Sequence, residues 1–431
     1  MAMLIYSFLL ALGLVIASPW WLWRMATSGR YRAGLGGRLG QVPAELRAVV
    51  DGKRVVWIHA VSVGEVLAAE RLVREMEAAL PGWVVAVSTT TASGQKIARE
   101  RFGAERVFYL PLDFAWIVRR YLRALKPELL VTMESELWPR VLVECERVGV
   151  PVAVVNARVS DRSYPRYMRL KALWGPLLRK VAVFLAQGEE SAWRLRQMGV
   201  ESGRVRVIGN LKYDMQVDES RPMVKLLRQM VTGRRVLVVG SLVEGEEAFF
   251  RDCLWDFWKK APDVVVILAP RHPQRFVEAA GVFRKGFRVC KASDMMADSK
   301  LPNPPKYLQS LPLVILDTLG DLAGVYGLAD VAFIGGSLVA KGGHNPLEAA
   351  RFGVPVVMGE SYENFREMVE SMKEAEAIRI VDGAGLGEAL TRLMRDDEGM
   401  GERGRMFFEG QTGATGRAVE ALVELISGRE G

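Results

Sequence analysis

Short apolar runs rich in valine and isoleucine alternate with amphipathic stretches along most of the chain, and this alternation restricts the fold more than any other feature. The first set of runs is Val55–His59, Val84–Ser88, Leu129–Thr132, Val152–Asn156, Ala182–Ala186 and Val205–Ile208. Helix-period stretches such as Val66–Leu80 and Ile117–Leu125 separate them. A strand that is apolar at every position is covered on both faces, which is the condition of a parallel sheet flanked by helices. The pattern pauses over Tyr213–Thr232, a polar stretch with helical character. It restarts with Arg235–Gly240, Val264–Ala269, Phe287–Cys290, Leu313–Asp317, Val331–Ile334, Val354–Met358 and Ile378–Val381. A length of 431 residues exceeds one ordinary core and suits two. The expected architecture is α/β, with two doubly wound, Rossmann-like domains facing across a cleft bounded by the carboxyl ends of both strand sets. The predicted divisions are residues 1–30, 31–215 and 216–431, with the last helix free to pack back on the first domain.

Residues 1–30 form a separate feature. No charged residue occurs from Met1 to Trp23. At about 1.5 Å per residue this run is long enough for a hydrocarbon core of about 30 Å. A cleavable signal peptide wants positive charge before its apolar run. Here the charge comes after it, at Arg24, Arg30, Arg32 and Arg38. By the positive-inside rule the rest of the chain stays in the cytoplasm. Trp20, Trp21 and Trp23 fall where indole rings favour a membrane interface. A buried core helix is disfavoured, because the run is apolar on every face. A helix lying on the membrane surface fits the same composition, since Pro19 interrupts its end. Cys145, Cys253 and Cys290 are far apart and form no CxxC pair, which argues against a disulfide framework or zinc ribbon and fits a reducing compartment. The net charge of +8 suits nucleic acid, an anionic membrane or a phosphorylated substrate, and does not choose among them.

Polar and glycine residues gather at the predicted strand ends. His59-Ala-Val-Ser62-Val-Gly64-Glu65 leaves a strand and opens a helix. Glu65 lies near that helix's N-terminus, where the dipole is expected to lower its pKa and keep it ionised. An ionised carboxylate there can take a proton from a sugar hydroxyl. Ser62 and Glu65 also match the S-x-x-E capping box, the better reading from spacing alone. Glu134 and Glu136 leave the end of another strand, just before Trp138-Pro139. They can position a substrate or spread positive charge, or be ordinary loop acids. Arg158, Arg162, Arg166, Arg169 and Lys171 interleave with tyrosines in a stretch that suits lipid phosphates or nucleic acid, or a solvated helix face. Lys212 ends the first strand set as a point charge for an anion.

The second half supplies Gly240-Ser241, Pro270-Arg271-His272-Pro273, Gly320-Asp321-Leu322 and the richest stretch, Gly335-Gly336-Ser337-Leu338 followed by Gly342-Gly343-His344-Asn345-Pro346-Leu347-Glu348. Asn345 as cap and Pro346 in the first turn mark a helix start. Free N–H groups there would meet a nucleotide phosphate, and Glu348 one turn in would hold ribose hydroxyls. A plain capped helix is the simpler reading, weakened by the glycines before it.

At these strings, in this order and spacing, the chain resembles the Kdo transferases, GT-B-type glycosyltransferases that add 3-deoxy-D-manno-oct-2-ulosonic acid to lipid A precursors in Gram-negative bacteria. The resemblance runs from about Tyr31 to the final helix and includes the N-terminal anchor. It rests on His59–Glu65, Glu134–Pro139, Asn156–Ser163, Gly209–Lys212, Pro270–Phe276, Gly335–Glu348 and Asn364-Phe365. It implies that Glu65 is the general base, that Glu134 or Glu136 and Lys212 stabilise the transition state, and that Arg271, His272, Gly320–Leu322 and Asn345–Glu348 hold the CMP of CMP-Kdo. Ser62, Gly64, Arg158 and Ser337 would position acceptor or donor. It further implies a lipid A precursor as partner, lipopolysaccharide synthesis as the setting and the cytoplasmic face of the inner membrane as the place. No metal, no other cofactor and no nucleic acid are expected. The chain departs from the family's pattern at Leu242-Val243, where a Thr-His pair is usual, at Arg140 in place of Asn, and at Ala349-Ala350 in place of Pro-Ala. The rival readings are a GT-B enzyme using a UDP-sugar and a non-catalytic membrane- or RNA-binding protein using the Arg158–Lys171 stretch.

Overall fold

A computed structural model describes residues 2–28, 34–214, 217–299 and 313–428. Arg30, Tyr31 and Arg32 therefore lie outside the described residues. The chain divides into two compact units. The first combines Met1–Met215 with Thr412–Gly431, and the second is Gln216–Gln411.

The first unit holds a seven-stranded sheet: β1 Val55–His59, β2 Val84–Thr89, β3 Val107–Tyr109, β4 Pro127–Met133, β5 Val152–Ala157, β6 Val183–Ala186 and β7 Val205–Val207. The spatial order is β3-β2-β1-β4-β5-β6-β7, with every pairing parallel. The strand order reverses between β1 and β4, which is where ligands sit in open α/β sheets. One core layer gathers Trp57, Phe108, Tyr121, Val154 and Phe184, and the other Ile58, Leu72, Val87, Val131 and Leu185. The last helix, Ala414–Ser427, contributes Ala418, Leu422 and Ile426 to this second layer. Edge strand β3 was not evident in the sequence. Its three residues follow a 3-10 turn and are too few to show a period.

The second unit holds β8 Val236–Leu242, β9 Val265–Pro270, β10 Val289–Lys291, β11 Leu313–Ile315, β12 Val331–Ile334, β13 Val356–Met358 and β14 Arg379–Ile380. The order is β10-β11-β9-β8-β12-β13-β14, again all parallel, with its reversal between β8 and β12. Phe250 and Phe333 meet edge to face at 4.8 Å between the sheet and the Glu246–Lys260 helix. Within Tyr213–Thr232 the described residues form a 3-10 turn, Leu211–Asp214, and a helix, Pro222–Val231.

The N-terminal helix runs from Ala2 to Ser28 and continues through Pro19 instead of ending there. Its Met3–Thr27 stretch is long and apolar enough to cross a membrane by length and composition.

Candidate active site

In the first unit the expected carboxylates gather at the sheet's reversal point. His59 pairs with Ser88 of β2 and Thr132 of β4, so the three stand level at the strands' carboxyl ends. His59 is fully buried, with Nδ1 2.9 Å from Ser88 Oγ, and burial lowers its pKa to about 4. It is a neutral packing residue at pH 7. Beyond it, Ser62 caps the Val63–Ala79 helix. Glu65 bends back on that cap: its Oε2 accepts from Val61 N at 2.8 Å and its Oε1 from the Ser62 hydroxyl at 3.0 Å. The capping reading of S-x-x-E thus holds. The expected lowering of the Glu65 pKa does not. Only 8 % of Glu65 is exposed, and desolvation raises its pKa against the two hydrogen bonds. Gly64 is exposed, and a Cβ there would meet only Ser62 Oγ, at 3.9 Å, so the space before the helix start is open.

Glu134 follows β4 with φ +57, a left-handed conformation that a non-glycine residue adopts at a cost, of order 1–3 kcal/mol. Its backbone N–H donates to Val155 O at 2.8 Å, and its carboxylate takes Lys212 Nζ at 2.7 Å. Burial and the charges of Glu65 and Glu134 together raise the pKa of Glu136. Glu65, Glu134, Glu136 and Lys212 therefore share one electrostatic neighbourhood. Arg158 is exposed, while its backbone carbonyl accepts from the Ser135 hydroxyl.

Asn156 heads one of the strings that carry the resemblance, but sequence reasoning assigned it no role of its own. It is fully buried with φ +58, and its Oδ1 accepts from Leu211 N at 3.1 Å, tying the Lys212 turn to the end of β5. The signal was present in the Asn that ends an otherwise apolar strand.

In the second unit Arg271 and His272 leave β9 as exposed residues. His344 is half-buried, and its pKa falls to about 4 through burial and then the nearby charges of Arg271 and His272. Burial raises the pKa of Glu348, with Arg271 and Arg351 opposing. These residues thus form a second cluster, positive on balance. Asp321 is buried and ion-paired with Arg221, and the next residue, Leu322, begins a short helix. Gly320, with φ +81, lies against the Arg221 guanidinium, 3.4 Å from where a Cβ would stand.

Two expectations for the glycine-rich stretch need correction. The helix begins beside Asn345 as expected, with Pro346 already in helical conformation, but it spans only Leu347–Ala350. Asn345 Oδ1 accepts from Leu347 N at 3.1 Å, so one of its first N–H groups is spent. A single turn also aligns too few peptide dipoles to hold an anion by itself. Secondly, the N–H groups of Gly336, Ser337 and Leu338 already face an anion. All three donate to the fully buried carboxylate of Glu246, at 2.8, 2.9 and 2.9 Å, and Val243 N adds a fourth bond at 3.1 Å. Ser337 is buried and its hydroxyl is engaged on both sides, donating to Ile334 O and accepting from Gly359 N. It clamps the loop and has no lone group to offer a ligand. Among the described residues no three His, Cys, Asp or Glu side chains stand in a metal-holding arrangement.

Two seven-stranded, doubly wound parallel sheets, one in each unit, define the GT-B fold class. Solved structures agree on the fold. UDP-GlcNAc 2-epimerase from Neisseria meningitidis, bound to UDP-GlcNAc, superposes with TM-score 0.60 at 13% identity, covering 86% of this chain and all (100%) of that one. The sequence profile described as 3-deoxy-D-manno-octulosonic-acid transferase (kdotransferase) matches residues 33–215. The 3-deoxy-D-manno-octulosonic acid transferase of Haemophilus influenzae is 31% identical over 405 residues, 92% of each chain. That of Bordetella pertussis is 33% identical over 423 residues, 93% of this chain and 94% of the relative. The chain belongs to the Kdo transferase family and is a glycosyltransferase.

Proposed function

We propose that this Kdo transferase takes its sugar from CMP-Kdo and adds it to a lipid A precursor, lipid IVA, at the cytoplasmic face of the inner membrane, with Glu65 as general base. The acceptor hydroxyl oxygen attacks the anomeric carbon of Kdo as its proton passes to Glu65. The bond from that carbon to the CMP phosphate breaks, CMP leaves with the electron pair, and the configuration inverts. The transition state has oxocarbenium character, as in other glycosyl transfers.

The gathering of Glu65, Glu134, Glu136 and Lys212 at the β1/β4 reversal is the observation that carries this reading. A carboxylate offers about four lone-pair positions. The cap uses two on Glu65, which leaves capacity for the acceptor hydroxyl. A raised pKa makes the ionised group a better proton acceptor nearer the working pH. Lys212, held by Glu134, brings a cation close to carboxylates that would otherwise repel the acidic sugar. Arg271, His272, Asn345 and Glu348 would hold CMP, the cations on its phosphate and the carboxylate on a ribose hydroxyl. Gly320–Leu322, Pro346 and Leu347 shape that site through the backbone.

Mass spectrometry of products from CMP-Kdo and tetra-acylated lipid A precursor tests donor and acceptor together. A mass increase of Kdo residues on the lipid is expected. Titration calorimetry that found tight UDP binding and no CMP binding would replace the donor with a UDP-sugar.

A further inference from the structure

The N-terminal helix is tied to the first unit by its first two turns. Tyr6 donates its hydroxyl to Asp113 Oδ2 at 2.8 Å. Arg140 donates from Nη2 to Met3 O at 2.8 Å and from Nε to Ser7 Oγ at 3.1 Å. Asp113 is itself buried and accepts from the N–H groups of Arg140 and Val141, each at 2.9 Å, which caps the Pro139–Arg147 helix. Met3 packs on the Trp57 core layer. Asp113 follows β3 and Arg140 follows β4, so the helix begins at the carboxyl-end rim that also carries Glu65 and Glu134.

The two sides of the helix differ. Met3, Tyr6, Ser7, Leu10, Leu14, Ser18 and Trp21 recur at three- and four-residue spacing and are half-buried. Leu4, Ile5, Phe8, Leu12, Val15, Ile16, Trp20 and Trp23 form the opposite side, each more than a third exposed. No charge interrupts that side. A helix crossing a bilayer toward cytoplasmic units would carry Met3–Ser7 to the far surface, about 30 Å from Asp113 and Arg140.

We propose that this helix does not cross the membrane but lies along the surface of an anionic bilayer, held to the first unit by Asp113 and Arg140, with its Leu4–Trp23 side sunk among the lipid chains. The choice of an anionic surface comes from the segment that leaves β5 on the same rim. Arg158, Arg162, Arg166, Arg169 and Lys171 are exposed there and have no ion-pair partner among the described residues, and Leu170 and Leu173 stand exposed between and beyond them. Cations beside exposed aliphatic groups match anionic headgroups over acyl chains. The rim of carboxylates then faces the layer from which a lipid acceptor presents its sugars. This inference rests on the membrane part of the proposal above and not on the donor.

The test uses the full chain with Cys145, Cys253 and Cys290 changed to Ser and Ala2→Cys added. A membrane-impermeant maleimide is applied to spheroplasts and to inverted inner-membrane vesicles. Labelling in inverted vesicles and none in spheroplasts is expected; labelling from the spheroplast side alone overturns the proposal. Kdo transfer by the same vesicles is read separately, so a failure of the proposed reaction leaves the labelling result intact. Because the cysteine replacements could impair folding, the otherwise unaltered chain provides a second reading. Its partition onto phosphatidylglycerol vesicles should weaken about five-fold for each charge lost in Arg166→Gln and Arg169→Gln, at about 1 kcal/mol per charge. Equal partition onto phosphatidylglycerol and phosphatidylcholine vesicles would overturn the anionic assignment.

Discussion

At the scale of single residues, Glu65 closes a helix start and, in the proposed reaction, also accepts a proton. Both use the same carboxylate, so its environment decides what can be measured. Gln keeps the shape and can still accept from Val61 N and meet the Ser62 hydroxyl, but it cannot take a proton. Glu65→Gln should therefore keep the helix and lower the rate roughly a hundred- to ten-thousand-fold, read as kcat with CMP-Kdo and lipid precursor. The sign of the pH dependence follows from burial. The Glu65 pKa lies above its ordinary 4.5, so activity should rise with pH through a limb displaced upward from that value. The folded state holds this proton more tightly than the unfolded chain. Stability should thus fall as pH climbs from 4.5 through the raised value, and the fall should be smaller in Glu65→Gln, seen in urea melts at each pH. The cap that Glu65 makes was legible from S-x-x-E at a strand end, while its role as base was implied only by the family resemblance. The sign of its pKa shift was not, because sequence shows the dipole and hides the desolvation.

Among the elements, the strands were legible because each is apolar on both faces, and a period shows only where enough residues repeat it. Val55–His59 and Val331–Ile334 stand as the pattern predicted, whereas Val107–Tyr109 was invisible and the helix that Asn345 begins proved to be a single turn. The clamp on the glycine loop was beyond the sequence for a different reason. Glu246 reads as one of two acids opening a helix, but the N–H groups it satisfies lie as far as Leu338, 92 residues on. A glycine loop that looks ready for phosphate is already occupied by the protein's own carboxylate. In Glu246→Gln an NH2 group must replace one oxygen and face two N–H donors, so acceptors are lost where no water reaches. A loss of about 3 kcal/mol in the stability of the second unit is expected, measured by chemical denaturation. Equal stability of mutant and parent would mean that the loop does not depend on the clamp.

For the whole molecule, the chain's path matters more than its order. It leaves the first unit after Met215, builds the second, and returns at Thr412 to finish the first. The return is fixed by Asp214, whose carboxylate accepts from Gly413 N at 2.7 Å and Thr415 N at 2.5 Å and so caps the last helix from a distance. That helix packs on Val63–Ala79, the helix that Ser62 and Glu65 begin, and Arg206 pairs with Glu424. Residues 412–428 are thus part of the core beneath the candidate base. Truncation after Gln411 would uncover the side of the Val63–Ala79 helix on which the last helix packs. The second unit, which is continuous in sequence, should keep its own melt, while the first unit should unfold at lower temperature and bind hydrophobic dye. Leu422→Ala gives the graded form of the same test, at about 2–5 kcal/mol for a fully buried leucine. Asp214→Ala should cost less, about 1–3 kcal/mol, because it removes one carboxylate and leaves two N–H groups unpaired. If truncation left the first unit's melt unchanged, the returning helix would be dispensable to the core. The geometry around Glu65 would then have to be held by residues 34–214 alone.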